Sequence, residues 1–114
     1  MGTPAAAGPE SSTAIPVGKR LKAIWNGTII ADSDKAIKFD NHIYFPPDSI
    51  NRQYLEDSST HTRCPWKGLT SYMTIVVGDN RLVDAVWYYP MPNEAAKDIK
   101  DYFAFVPDVQ IVED

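Results

Sequence analysis

The sequence predicts a mainly β domain with one C-terminal helix, folded as a compact sheet or barrel-like structure. Three observations lead there. From Leu21 onward, short apolar runs rich in β-branched and aromatic side chains alternate with turn residues. Asn26-Gly27, Asp40-Asn41 and Gly78-Asp79-Asn80 fall between such runs, where a hairpin turn needs residues tolerant of positive φ. Only the segment after Asn93 carries apolar residues at helical spacing. At 114 residues and 44% hydrophobic content, the chain can build one core but hardly two.

Residues 1–18 are rich in Ala, Pro, Gly, Ser and Thr and read as a tail, disordered or with Ile15-Pro16-Val17 lying along a sheet edge. Residues 19–114 form the domain. Leu21 to Trp25 and Thr28 to Ala31 make a hairpin about Asn26-Gly27, and Lys35 to Phe39 with His42 to Phe45 repeat it about Asp40-Asn41. Pro46-Pro47 stops the ladder, because neither residue has an amide proton to donate. Asp48 is placed to cap a short helix or turn, Gln53 to Glu56 can form a brief strand, and Asp57 to Thr60 reads as a polar lead into a loop from His61 to Gly68. Leu69 to Val77 and Arg81 to Tyr89 make the central hairpin, apolar on both faces and so covered twice. After Pro90-Met91-Pro92, Asn93 caps a helix from Glu94 to about Tyr102 with Ala95, Ala96, Ile99 and Phe103 on one face. Ala104 to Val106 and Val109 to Val112 are closing strands.

Charge and composition narrow the partners. A net charge of -4, with eleven Lys and Arg residues scattered along the chain, argues against nucleic acid. No run is apolar enough to span a bilayer, and the first residues lack the basic flank of a secretory signal and the Ser or Thr of a myristoylation site. One cysteine excludes an internal disulfide, so a reducing, cytoplasmic setting is expected. Exposed edges of small β domains can pair, which makes a homodimer one arrangement open to the chain.

Tyr44-Phe45-Pro46-Pro47, then Cys64-Pro65-Trp66-Lys67-Gly68 with Ser71-Tyr72, then Asp84 through Pro92 form three blocks in register. Together they resemble the family known as domain of unknown function 427, over roughly Leu21 to Glu113. The resemblance implies a small β-rich domain in the Mss4-like group of folds, and through fungal relatives associated with polyketide pathways it suggests acyl or pyrone chemistry. Zinc-holding folds of that group use paired cysteines, which this chain lacks, so no metal is expected. A Gly-rich phosphate cradle and aspartates spaced for magnesium are also missing from the sequence.

The chemistry concentrates around His61 to Tyr72. Arg63 and Lys67 flank the Cys64-Pro65-Trp66 turn and can aim two cations into one cavity, where they would stabilise a carboxylate, thioester oxygen or enolate. The plain alternative is a solvated loop with Arg63 tied to an acid. Cys64 with His61 or His42 offers a nucleophile and base, or Cys64 is a small buried hydrophobe. Asp84 interrupts an apolar alternation, so it either pairs with Arg63, Lys67 or Arg81 or serves as a base with a raised pKa. Trp66, Trp87, Tyr44, Tyr72 and Tyr89 are core residues by default, with Tyr72 and Tyr89 best placed to face a pocket.

The expected catalytic set is therefore Arg63, Lys67, Asp84, His61 and Tyr72, with Trp66, Trp87, Tyr89, Tyr44 and Cys64 binding a small-molecule substrate. Read this way, the chain is a cofactor-independent enzyme acting on a carbonyl or acyl compound, a pyrone-forming cyclase or a hydrolase. The alternative is a non-catalytic module holding a small molecule or partner in the same pocket.

Overall fold

Tight turns with left-handed backbone set the strand order. Asn26 and Gly27 have φ of 53° and 72°, and Asp40 and Asn41 have 51° and 65°, the paired positive values that a two-residue turn needs to match strand twist. In the computed structural model, which describes residues 13–114, these turns join β2 (Leu21–Trp25) to β3 (Thr28–Ser33) and β4 (Ile37–Phe39) to β5 (His42–Tyr44). Ile15–Pro16, within the stretch that reads as a tail, forms β1 and pairs antiparallel with β4. Positions 1–12 of that stretch lie outside the described residues.

The remaining strands are β6 (Leu55–Cys64), β7 (Gly68–Val77), β8 (Asn80–Tyr88), β9 (Ala104–Phe105) and β10 (Gln110–Glu113). They assemble into three open sheets, β10-β2-β3, β1-β4-β5 and β6-β7-β8-β9, rather than a closed barrel. The sheets meet over a core of Ile30, Phe45, Ile75, Val86 and Phe103, and a second cluster gathers Phe39, Tyr44, Tyr89 and Ile99. Each of these large side chains contributes roughly 1.5–3 kcal/mol by leaving water.

Two elements differ from expectation. Asp57 to Thr60 and His61 to Cys64 are not a polar lead and a loop but lie in one strand, β6, ten residues long from Leu55, whose sequence hides it because most of its side chains are exposed. The segment after Asn93 is a pair of 3-10 turns over Glu94–Ile99, broken at Ala96, instead of a helix reaching Tyr102. Its ends explain this. The Asn93 amide is bound to the Lys67 carbonyl and Lys100 bridges Tyr89, so little length remains for α-helical turns, while Phe103 pairs with Phe45. Pro47–Ser49 and Arg52–Tyr54 are likewise single 3-10 turns.

Candidate functional site

The loop joining β6 to β7 is only three residues long, Pro65-Trp66-Lys67, since Cys64 and Gly68 are already paired. Gly68 closes it at φ +118°, with Met91 O and Asn93 N both 3.3 Å from where a Cβ would stand, so only glycine fits without displacement. Asn93 latches the loop. Its amide donates to Lys67 O at 2.9 Å and its side chain donates to Trp66 O at 3.2 Å, in place of the helix cap expected from sequence.

This latch turns Lys67 inward. Its side chain is 8% exposed, its ammonium lies 2.5 Å from Asp40 Oδ2, and it sits 5.3 Å and 5.7 Å from the centres of the Trp66 and Tyr89 rings. Burial works against the charge, but the Asp40 hydrogen bond and the neighbouring Tyr44 and Tyr89 outweigh it, leaving the pKa above the ordinary lysine value. Lys67 is therefore an ammonium at neutral pH, a donor to oxygen rather than a nucleophilic amine. Tyr44 lies fully buried nearby and accepts a bond from Trp87 Nε1 at 3.2 Å; burial pushes its pKa up to about 12 against the lowering effects of Trp87 and Lys67.

Above Lys67 opens a pocket of about 280 Å³, and six of the sequence-predicted residues line it: Arg63, Cys64, Lys67, Tyr72, Trp87 and Tyr89. Arg63 is exposed and takes part in no ion pair among the described residues. The Tyr72 hydroxyl shares a hydrogen bond of 2.9 Å with Thr62 Oγ1. Trp66 and Tyr44 do not line the cavity but support it, Trp66 packing on Phe39 at 5.8 Å.

Asp84 and His61 lie elsewhere. The Asp84 carboxylate accepts bonds from Ser58 Oγ at 2.5 Å and Thr60 Oγ1 at 2.8 Å, which hold its pKa below the usual carboxylate value. The expected pairing with Arg63, Lys67 or Arg81 does not occur; Arg81 pairs with Glu56. Asp84 occupies a bulge with φ 54°, its amide donating to Thr74 Oγ1, and this bent backbone is the physical reason that it breaks the apolar alternation. His61 instead faces Ser71, Nδ1 to Oγ 3.2 Å.

Sequence reasoning misses Asp40, Thr62 and Thr70. Asp40 reads there only as a turn residue, yet it fixes Lys67. His42, which the sequence offers as a base for Cys64, lines the pocket with it, its Nδ1 donating to the Asp40 carbonyl at 3.0 Å and its ring meeting Trp87 edge-on at 5.2 Å. Thr62 and Thr70 also line it. A larger hollow of about 560 Å³ beside Tyr102 contains none of the predicted site residues, and its cations are already matched, Arg20 to Asp32 and Lys35 to Asp34. The smaller pocket, with an unmatched cation, is the better candidate. Among the described residues no three His, Cys, Asp or Glu side chains group as metal ligands, and no helix is long and apolar enough to cross a membrane.

A family model described as Domain of unknown function (DUF427) matches residues 13–114, and the chain belongs to that family. No curated protein matches the chain.

Proposed function

We propose that this DUF427 domain takes a small carbonyl or acyl compound, polyketide-like in class, into the pocket beside Lys67 and acts on it without a cofactor as a cyclase or hydrolase. The observation that carries the reading is Lys67 itself: a charged, nearly buried ammonium, held by Asp40 against two aromatic rings at the wall of a cavity. A fixed donor with little water around it stabilises a developing oxyanion well, because no reorganisation is needed as charge appears. Tyr72, whose hydroxyl is oriented by Thr62, moves the proton, and the His42 imidazole also stands at the cavity. A cytoplasmic setting and the Mss4-like fold group go with this reading, supported by the single cysteine and the β-rich architecture.

One observation favours a second reading, a binding module without catalysis. Of the three proton-moving residues expected from sequence, only Tyr72 reaches the pocket, while Asp84 and His61 are engaged outside it. Nitrophenyl acetate for hydrolysis and a dioxohexanoate ethyl ester for pyrone formation separate the two. Saturable turnover, reduced about 100-fold in a folded Lys67→Met variant, is the expected result. Saturable binding of either probe without product supports the module, and neither binding nor turnover overturns both.

A further inference from the structure

The charges around the pocket restrict what it can hold. No carboxylate of the described residues lines it; Asp40, which stands behind Lys67, is already paired with that ammonium. Lys67 therefore offers its remaining protons to a neutral oxygen more readily than it offers a whole positive charge. Arg63 differs, because it lines the same cavity, is exposed, and has no ion-pair partner among the described residues. One unmatched guanidinium calls for one anionic group, and a carboxylate fits its fork of donors. Arg63 stands in solvent while Lys67 is 7% exposed, so the anionic end lies at the mouth and the neutral oxygen at the floor. Trp87 and Tyr89 supply flat apolar wall, and about 280 Å³ sits at the low end for small-molecule sites, enough for one ring.

Building on the reading that this pocket takes a carbonyl compound, we infer that the ligand is an oxo acid: a compact, flat monoanion whose carboxylate is held by Arg63 and whose carbonyl oxygen is held by Lys67. The carboxylate secures orientation and leaves the carbonyl as the group on which charge develops. A neutral ester of the same skeleton satisfies Lys67 but leaves Arg63 unmatched, and a simple carboxylate does the reverse.

Benzoylformate, its methyl ester and benzoate test this, with binding followed by tryptophan fluorescence and by amide shifts. Benzoylformate is expected to saturate at least tenfold more tightly than either of the other two. Arg63→Met, a change at an exposed side chain, is expected to weaken benzoylformate about tenfold and leave the methyl ester unchanged. If the ester binds as tightly as the acid, or if Arg63→Met has no effect, the oxo-acid assignment falls while a carbonyl pocket stands. If benzoate matches benzoylformate, the Lys67–carbonyl contact falls and with it the oxo acid. If none of the three binds, the assignment and the functional reading beneath it are both overturned.

Discussion

Replacing Lys67 by methionine isolates the charge on which the site depends. Methionine keeps the length and apolar body of the side chain, so packing on Trp66 and Tyr89 is largely retained. What disappears is the ammonium, leaving the Asp40 carboxylate without its partner 2.5 Å away. Removing one member of a fully buried pair costs about 3–5 kcal/mol, but the Asp40 side chain is 31% exposed and regains water, so about 2 kcal/mol is expected. For a domain of this size that corresponds to a fall in Tm of roughly 8 °C. Adding Asp40→Asn to the Lys67→Met variant removes the stranded charge and is expected to bring stability back to within about 1 kcal/mol of the parent. Urea unfolding monitored by tryptophan fluorescence measures all four members of the cycle. A single variant as stable as the parent, or a double variant no better than the single one, would refute the account of Lys67 as a buried charge dependent on Asp40. The pH profile adds a check of sign. Because the folded pKa is raised, the stabilisation is complete below the ordinary lysine pKa and is lost as pH climbs through the folded value, and Lys67→Met lacks that loss.

Tyr44 gives a second alkaline signature: it keeps its proton to about pH 12 when folded, against an ordinary tyrosine value of 10.0, so stability is untouched well below pH 10 and falls by roughly 2 kcal/mol by pH 12. Tyr44→Phe should flatten that part of the curve while costing about 1 kcal/mol at neutral pH, because Trp87 Nε1 loses its acceptor, as chemical unfolding across the range from neutrality to about pH 12 will show. Gly68→Ala places a methyl group 3.3 Å from two backbone atoms at φ +118°, and is expected to cost about 1–3 kcal/mol in urea unfolding and to shift the amide resonance of Asn93 as the latch loosens.

The hairpins were legible because their turns are written in local chemistry: Asn26-Gly27 and Asp40-Asn41 adopt the left-handed backbone that their side chains tolerate, whatever the rest of the chain does. β7 and β8 were legible from β-branched and aromatic residues alone. β6 was not, since a strand with water on most of its side chains carries no apolar alternation to read. The 3-10 turns after Asn93 escaped for another reason. Ala96 and Ile99 are buried as helical spacing suggests, but long-range bonds to Lys67 and Tyr89 clamp the segment too short for a helix. At the site, the gathering of Arg63, Lys67, Tyr72, Trp87 and Tyr89 follows from a short loop beside two aromatic strands. Asp40 stands 27 positions before Lys67, and nothing local announces a partnership made by two turns meeting in space.

The Asp84 carboxylate, itself on a bulge of β8, reaches across to a second irregularity in β6. On the outer side of β6 no strand pairs with it among the described residues, and the amides and carbonyls of alternate residues along that edge are an invitation to an unfolding neighbour. Between Asp57 and His61, however, three residues stand against Tyr72 alone, and the Thr60 amide turns onto the Ser58 hydroxyl. An intruding chain would find two stubs instead of a continuous template, and the carboxylate to which Ser58 and Thr60 donate holds that interruption in place.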